Sequence, residues 1–422
     1  MRMNITRVRG TQDIYDEQLY RHLKVSNSAR SICERFGYRE IQTPIFEDSS
    51  VFTKSLGQAT DVVQKEMYNF VDKGGHSITL RPENTASIMR AFFSNNMAEQ
   101  VPVRLFYQGA MFRYERPQKG RLRQFHQIGA ELIGVSDALA DVELIICAQM
   151  ILEELGVAKH AKLHLNTLGS IESRMRWRDA LVEYFTRYKN DLSEISQKRL
   201  EINPLRILDS KNKDDRALLA DMPAFEHYID APSKKFFDEV QSRLQLADIK
   251  WHLDPTLVRG LDYYCHTAFE FVTDMLGAQG TLIGGGRYDG LARQLCGLDV
   301  PGVGWAGGIE RLAMMVELPS KRQLRTALVA IGEQAREPIM KLARELRLAG
   351  YIVIVPCQNQ LKKAMREAER ANADICLILG EDEIKNSTIQ WRELKSATQF
   401  ECPFESVKSK IHEYKNHLFT ND

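Results

Sequence analysis

The stretch Phe112-Arg-Tyr-Glu-Arg-Pro-Gln-Lys-Gly-Arg-Leu-Arg-Gln-Phe125 joins two apolar runs through a basic loop that contains a glycine. Apolar runs on both sides of a short Gly-containing loop predict a β-hairpin. Arginine suits a phosphate because its planar fork donates two parallel hydrogen bonds and keeps its charge. Arg113, Arg121 and Arg123 on one hairpin could therefore hold a triphosphate.

Two further side chains of this hairpin fit a nucleotide. Glu115 could accept a hydrogen bond from an exocyclic amine, and Phe125 could stack on a base. The alternative is a solvated basic hairpin, and for an isolated segment of this kind that alternative would be preferred.

The residues around the hairpin predict an antiparallel sheet with one inserted helix. Short apolar runs alternate with turns between residues 64 and 135, and a helix is predicted at Thr85–Phe93. The predicted strands are Met67–Phe70, Ser77–Leu80, Arg104–Tyr107 and Gln127–Ile133.

The N-terminal part of the chain predicts a helix followed by an edge strand. Residues 16–36 carry Leu19, Leu23, Ala29, Ile32 and Phe36, an apolar stripe at helical spacing. Gly37 fits the end of this helix. Tyr38–Phe46 then predicts an extended segment, and Pro44 within it favours a sheet edge or a bulge. The strand could end at an interface.

The segment Gly304-Trp-Ala-Gly-Gly-Ile-Glu-Arg311 places an arginine at the start of an apolar helix. Small residues before it allow a ligand or another backbone to come close. By itself the segment is also compatible with an ordinary Gly-rich turn between a strand and a helix.

The rest of the chain suggests three regions. Residues 139–155 predict an amphipathic helix, and residues 170–246 are helical and highly charged, which indicates a helical insertion. Strand patterns return at Ile249–Leu253, Ala268–Val272 and Gly280–Ile283. We therefore expect an α+β catalytic domain at residues 1–325, built on an antiparallel sheet and interrupted by the insertion.

Residues 326–422 predict a separate α/β domain. Strands at Ala327–Ile331, Tyr351–Val355 and Ile375–Leu379 alternate with helices at Pro338–Leu348 and Gln360–Ala371. This βαβαβ order favours a mostly parallel sheet. A last helix is predicted at Glu405–Leu418.

Composition narrows the class of protein. The 422 residues are 44% hydrophobic and carry a net charge of +1, so no global electric field indicates a nucleic-acid partner. The seven cysteines include no CxxC pair, and the N-terminus lacks an apolar signal-peptide core. No apolar run has the length of a membrane span. We expect a cytoplasmic protein with free thiols.

Together, the hairpin and the Gly304–Arg311 segment resemble motifs 2 and 3 of the class II aminoacyl-tRNA synthetases. Phe36-Gly-Tyr-Arg-Glu-Ile-Gln-Thr-Pro44 resembles motif 1, which in that class ends in a proline and builds the dimer interface. The three motifs stand in the right order with the alternating sheet between them. The resemblance implies a homodimer that contacts itself near Pro44.

Two more segments are similar to the signatures of the histidyl-tRNA synthetase family, in its bacterial form. They are Arg259-Gly-Leu-Asp-Tyr-Tyr264 and Gly284-Gly-Gly-Arg-Tyr-Asp-Gly290. The similarity extends to Asn203–Lys211 and to the terminal α/β domain, so it spans essentially the whole chain. The expected activity is ATP-dependent activation of L-histidine and its transfer to the 3′ end of tRNA(His), with tRNA(His), L-histidine and ATP as partners.

The chemistry of imidazole fits several of these residues. Gln127 and Glu131 lie four apart on a strand and face the same side. A carboxylate such as Glu131 can fix the tautomer of histidine by taking one N–H, and Tyr264 can meet the other ring nitrogen. The resemblance implies that Glu83, Thr85 and Gln127 hold the ammonium group. It also implies that Tyr263 and Tyr288 line the pocket.

The resemblance assigns the catalytic charges to arginines. Arg259 stands where other class II enzymes place a metal and faces the α-phosphate of ATP, with Arg113 on the opposite side. Arg121, Arg123 and Arg311 would hold the outer phosphates with Mg²⁺, which enters with ATP as a substrate complex. The ten histidines show no zinc-type spacing, so no metal site made of dedicated protein ligands is expected.

Three other functions compete with this one. A regulatory paralogue that serves histidine biosynthesis would lack the terminal domain and could lose Arg113, Arg259 or Arg311. A synthetase for another amino acid would lack the paired signature segments. A pure RNA-binding module would not need the arginine set that fits ATP. The basic pair Lys362-Lys363 gains an RNA-binding role only through the family, because such pairs usually lie on a solvated face.

Overall fold

The computed structural model describes residues 5–57, 60–208, 210, 212–259, 261, 263–277, 280–318, 323–358, 360–396 and 398–420. Gly260 and Asp262 of the signature segment, and Asp209 and Lys211 of the insertion, lie outside the described residues. The chain divides into two compact units, Met1–Leu318 and Pro319–Asp422. No described helix has both the length and the apolar character needed to cross a membrane.

The N-terminal unit contains eleven of the sixteen described strands. They are β1 (Arg39–Glu40), β2 (Phe46–Asp48), β3 (Tyr68–Val71), β4 (Ser77–Leu80), β5 (Val103–Phe112), β6 (Gln124–Ile133), β7 (Lys162–Thr167), β8 (His252–Leu253), β9 (Cys265–Val272), β10 (Thr281–Arg287) and β11 (Gly302–Gly308).

Ten described helices accompany these strands. They are α1 (Asp16–Arg35), α2 (Ser49–Ser55), α3 (Thr85–Ser94), α4 (Ala138–Glu154), α5 (Ile171–Arg187), α6 (Glu194–Ile202), α7 (Lys213–Leu218), α8 (Ala231–Leu246), α9 (Leu291–Cys296) and α10 (Ile309–Ala313).

Eight strands form one large sheet in the order β1-β5-β6-β11-β10-β9-β7-β8. The neighbours from β5 to β7 are all antiparallel, and the short edge strands β1 and β8 pair in parallel. The predicted antiparallel catalytic sheet is therefore confirmed, as is the edge position of the strand after Gly37. The expectation that β3 and β4 join this sheet was wrong. They form a separate sheet with β2, because β4 pairs with β2 and β3 on its two sides.

The two faces of the large sheet pack against different groups of residues. Ile128, Ala130 and Leu132 of β6 belong to the core beneath α1, α4 and α8. The alternate residues of the same strand point to the opposite face, since side chains change sides at each residue of a strand. Glu131 is one of these residues, and Tyr263, Tyr264 and Tyr288 pack on that face.

The predicted buried face of helix α1 is confirmed at Ala29 and Ile32 but is wrong in the first half of the helix. Its buried residues include His22, Val25, Ala29 and Ile32, whereas Leu19 and Leu23 are 40% and 46% exposed. Spacing alone does not identify the buried face here, because apolar residues occupy two neighbouring faces of the helix. Helix α4 also departs from the expected amphipathic pattern, since most of its residues are buried.

The insertion has a small core of its own. Trp177, Leu181 and Phe185 of α5 pack with Leu200 of α6 and Ile207. The final helix of this region, α8, belongs instead to the main core, where its residues Phe237, Val240 and Leu244 pack with α4 and the sheet.

The C-terminal unit is a mixed α/β layer. Its strands are β12 (Arg325–Ala330), β13 (Ile352–Ile354), β14 (Ile375–Leu379), β15 (Thr388–Glu393) and β16 (Gln399–Pro403). Its helices are α11 (Arg336–Leu348), α12 (Leu361–Arg370), α13 (Glu381–Asn386) and α14 (Val407–Thr420). Strands β12, β13 and β14 are parallel, which confirms the βαβαβ unit, and two unpredicted antiparallel strands, β15 and β16, extend the sheet.

Candidate active site

Glu131 is the centre of a hydrogen-bonded group on the open face of the large sheet. The Thr85 hydroxyl at the start of α3 donates to Glu131 Oε1 at 2.7 Å. The Tyr288 hydroxyl, just after β10, donates to Glu131 Oε2 at 2.5 Å. The structure thus brings together three predicted pocket residues from three parts of the chain.

Burial controls the charge of Glu131. The side chain is 1% exposed, and this burial raises its pKa to about 8 although both hydroxyl groups oppose the shift. Each carboxylate oxygen can accept more than one hydrogen bond. The group can therefore still receive an N–H from a ligand while it keeps both hydroxyl partners.

Gly304 makes room for the Glu131 side chain. The two residues are paired across β6 and β11. A Cβ atom at Gly304 would lie 1.6 Å from Glu131 Oε2, a distance at which atoms overlap. The predicted role of small residues in the Gly304–Arg311 segment thus has a definite cause at this position.

Glu83 fixes the start of α3 beside this group. Its carboxylate accepts from the backbone N–H of Thr85 at 2.6 Å and of Ala86 at 2.9 Å. Burial raises the pKa of Glu83, and the two backbone donors partly offset that shift. These bonds hold the carboxylate and the Thr85 hydroxyl in a fixed relation.

Gln127 contributes an acceptor without a partner. It lies on β6, four residues before Glu131, and its Oε1 atom is buried with no hydrogen bond from any described residue. Buried polar atoms nearly always have a partner in native proteins. A ligand that brings an N–H donor to this face would satisfy the atom.

Four tyrosines form the wall of the site. The ring centroids of Tyr263 and Tyr264 are 4.6 Å apart, and those of Tyr263 and Tyr288 are 5.8 Å apart. Tyr107 of β5 was not predicted. Burial raises its pKa well above the usual range, and the nearby Glu131 and Glu83 add to the shift. It is paired with Gly129, where a Cβ atom would lie 2.4 Å from the Tyr107 hydroxyl oxygen.

Arg259 is held by a carboxylate that the sequence did not reveal. Its guanidinium forms an ion pair with Glu270 of β9, and the Thr281 hydroxyl donates to the same carboxylate at 2.9 Å. Burial alone would lower the pKa of Arg259, but Glu270 together with Tyr264 and Tyr263 outweighs it, so the pKa is raised. A Cβ atom at Gly284 would lie 2.6 Å from Arg259 Nη1, so this glycine leaves space for the arginine.

The hairpin between β5 and β6 carries a second set of charges. Arg113 donates from Nε to the Pro82 carbonyl at 2.8 Å, and its guanidinium carbon lies 5.4 Å from the centroid of the Phe125 ring. Arg121 forms an ion pair with Glu115, and Arg113 Nη1 lies 4.0 Å from the same carboxylate. The predicted hairpin residues Arg113, Glu115, Arg121 and Phe125 thus lie in a connected group.

The guanidinium of Arg123 contacts a different side chain, Tyr114. Its guanidinium carbon lies 3.7 Å from the centroid of the Tyr114 ring, and its Nε donates to the Glu115 carbonyl at 3.2 Å. A role on a phosphate would require this side chain to leave Tyr114.

Arg311 approaches the hairpin from α10. It donates to the carbonyls of Gly120 at 3.1 Å and Thr281 at 2.9 Å. Burial lowers its pKa, and the positive charges of Arg121 and Arg113 lower it further. Mutual repulsion among three arginines indicates a place for a strongly anionic ligand, which would relieve it.

The raised pKa of Glu131 leads to a prediction about stability. The pKa is about 8 in the folded chain and 4.5 for an ordinary glutamate, so the folded state holds a proton that the unfolded state releases. The free energy of unfolding should therefore fall as pH rises from about 4.5 to 8, by up to about 1.4 kcal/mol per pH unit from this group. Chemical denaturation should show a flatter pH dependence for Glu131→Gln. The exposed Glu154→Gln should keep the wild-type slope, and an unchanged slope in Glu131→Gln would contradict the assignment.

Comparison with known proteins identifies the family of the chain. Residues 10–312 match the family model described as histidyl-tRNA synthetase, and residues 326–414 match that of an anticodon binding domain. The chain is 50% identical over 395 residues to the histidine–tRNA ligase of Gluconobacter oxydans, covering 94% of this chain and 95% of the relative. It is also 50% identical to that of Rhodospirillum rubrum, covering 93% and 95%.

A solved structure indicates the same family. The apo histidyl-tRNA synthetase of S. aureus superimposes with a TM-score of 0.78 at 33% identity, covering 97% of this chain and 99% of the other. The fold, the composition of the site and these relatives agree, and the chain belongs to the histidyl-tRNA synthetase family.

Proposed function

We propose that the chain activates L-histidine with ATP, forming histidyl-adenylate and diphosphate, and then transfers the histidyl group to the 3′ end of tRNA(His) with release of AMP. The observations that carry this proposal are the buried Glu131, which Thr85 and Tyr288 hold by hydrogen bonds, and the arginines that the hairpin and α10 bring together. We identify the group around Glu131 as the amino-acid site and the group of arginines as the ATP site.

Histidine recognition rests on polar groups buried among aromatic rings. Glu131 accepts one imidazole N–H, and Tyr264 meets the other ring nitrogen. A side chain without these nitrogens would leave buried polar groups unpaired, and such mismatches give strong discrimination. Tyr263 and Tyr288 line the imidazole pocket.

The ammonium group of the substrate is held at the neighbouring end of the site. Gln127 supports this assignment because its buried Oε1 has no partner among the described residues. Glu83 supplies a negative charge close to the start of α3. Thr85 has its hydroxyl proton on Glu131, so its oxygen is free to accept from the ammonium group.

The first chemical step is an in-line substitution at phosphorus. A carboxylate oxygen of histidine forms a bond to the α-phosphorus of ATP, and the bond from that phosphorus to the diphosphate oxygen breaks. Negative charge accumulates on the non-bridging oxygens during this step. Arg259 and Arg113 stabilise that charge from two sides, so positioning and electrostatics account for the rate.

The remaining hairpin residues bind the rest of ATP. Arg121 and Arg311 hold the outer phosphates together with Mg²⁺, which neutralises their charge when it is bound. Arg123 joins them after its guanidinium leaves the Tyr114 ring. Phe125 stacks on the adenine and Glu115 accepts from its exocyclic amine. The ion pairs of Glu115 with the arginines give way as the triphosphate takes over their charge.

Two macromolecular partners complete the proposal. The C-terminal unit binds the anticodon region of tRNA(His), and Lys362 and Lys363 are exposed on α12 where a phosphate backbone could reach them. A second copy of the chain covers the region near Pro44. Ile45 and Phe46 next to it are 47% and 51% exposed, so two large apolar side chains are available there for such a contact.

The competing regulatory function is disfavoured by two observations. Arg113, Arg259 and Arg311 all remain, and each has defined partners beside the site. A match to an anticodon binding domain covers residues 326–414, a part that the regulatory paralogues lack.

Pyrophosphate exchange tests the proposed reaction. Purified protein with ATP, Mg²⁺ and labelled pyrophosphate should form labelled ATP when L-histidine is added. Glycine and threonine serve as controls and should give background exchange. Absence of exchange with histidine, or equal exchange with the three amino acids, would exclude the proposal.

The catalytic role of Arg259 has a separate test. Because Arg259 is proposed to stabilise charge only in the transition state, Arg259→Ala should lower kcat for exchange by about 10²- to 10³-fold. Histidine binding measured by calorimetry should change much less. Arg293→Ala, which removes an exposed arginine paired with Asp299, is the matched control. Wild-type kcat in Arg259→Ala would remove this residue from the mechanism.

A further inference from the structure

His22, His126 and Glu310 form a cluster that the proposed reaction does not use. They come from α1, β6 and α10, respectively, so no spacing in the sequence could reveal the group. One potential ligand atom of each side chain lies within 4.8 Å of those of the other two. Nδ1 of His126 and Oε1 of Glu310 are 2.8 Å apart.

The environment of His22 suits the binding of a metal ion. Its side chain is 7% exposed, its ring packs edge-on against that of His126 at 5.9 Å, and neither of its ring nitrogens has a hydrogen-bond partner among the described residues. Imidazole nitrogens are common ligands of transition-metal ions.

The carboxylate of Glu310 is already held in position to bind a metal ion. Glu310 accepts from the backbone N–H of His126 with both oxygens at 3.0 Å, so its position is set by β6. Carboxylate oxygens bonded in this way are oriented for coordination by their outer partners. A metal ion bound between His126 and Glu310 would replace the contact that now joins their side chains.

The cluster is reached from solvent through a cavity. This cavity has a volume of about 690 Å³, and His22 and Glu310 are part of its lining together with Glu17, Gln18 and Lys119. It therefore offers both an entry path and room for a water molecule as a fourth ligand. Two imidazoles, one carboxylate and one water are a common ligand set for Zn²⁺.

We propose that His22, His126 and Glu310 bind a divalent transition-metal ion of the Zn²⁺ type, with water from the cavity as the fourth ligand. Tetrahedral coordination with bonds of about 2.0–2.2 Å needs ligand atoms about 3.3 Å apart, so the side chains must close around the ion by small rotations. The site is separate from the Mg²⁺ that accompanies ATP, because hard cations prefer oxygen ligands.

Binding of Zn²⁺ and Co²⁺ to the untagged full-length chain tests this site. The exposed thiols of Cys296 and Cys357 would compete for these metals, so both are first replaced by serine. Zn²⁺ affinity is measured by competition with a chromophoric chelator, and Co²⁺ reports geometry through its visible absorption. We expect one Zn²⁺ per chain and the intense Co²⁺ bands typical of tetrahedral coordination.

Variants at two ligands identify the site. His22→Gln and His126→Gln should each weaken Zn²⁺ binding at least about tenfold and remove the tetrahedral Co²⁺ bands, because each loses one of three protein ligands. His160→Gln, which replaces an exposed histidine, should bind as the parent does. Circular dichroism confirms the fold of each variant. Unchanged affinity in both ligand variants, or only the weak Co²⁺ spectrum of octahedral coordination in the parent, would overturn the proposal.

Discussion

The structure of the site depends on one buried carboxylate. Glu131 lies at the centre of the sheet face and accepts hydroxyl hydrogen bonds from Thr85 and Tyr288. A buried carboxylate is costly unless it is hydrogen-bonded, so its partners cannot be exchanged freely. This carboxylate restricts the residues around it. Gly304 must lack a side chain, because a Cβ atom there would overlap with Glu131. Helix α3 must begin beside Glu131, where Glu83 accepts from its first backbone N–H groups.

A second constraint is the balance of positive charge. Burial and the positive charges of Arg121 and Arg113 lower the pKa of Arg311, and the carboxylates of Glu270 and Glu310 only partly offset that effect. Thr281 connects this group to Arg259, because its carbonyl accepts from Arg311 while its hydroxyl donates to Glu270. Arg259 and Arg311 are therefore held in place by protein partners, which limits the reorganisation that electrostatic catalysis requires at these two positions.

Local sequence patterns account for the parts that were predicted. The β5–β6 hairpin, α3 and the βαβαβ unit follow from periodicity and turn residues, which depend on neighbours in sequence. Glu270, Tyr107 and the buried face of α1 were missed because their partners are distant in sequence. A single carboxylate in the apolar run Ala268–Val272 was the available signal for Glu270. Strand β16 was missed because most of its residues are exposed, as in a loop. Strand β15 did carry a usable signal, since the apolar Ile389 and Trp391 alternate with polar residues.

The central claim is that Glu131 recognises histidine by accepting one imidazole N–H. Competition binding of histidine and β-thienylalanine, which has a similar shape but no ring nitrogen, tests it directly in the wild type and in Glu131→Gln. The wild type should strongly prefer histidine, and the variant should lose at least about 10²-fold of that preference, because a neutral amide oxygen accepts the imidazole N–H more weakly than a carboxylate does. An unchanged preference in the variant would contradict the claim.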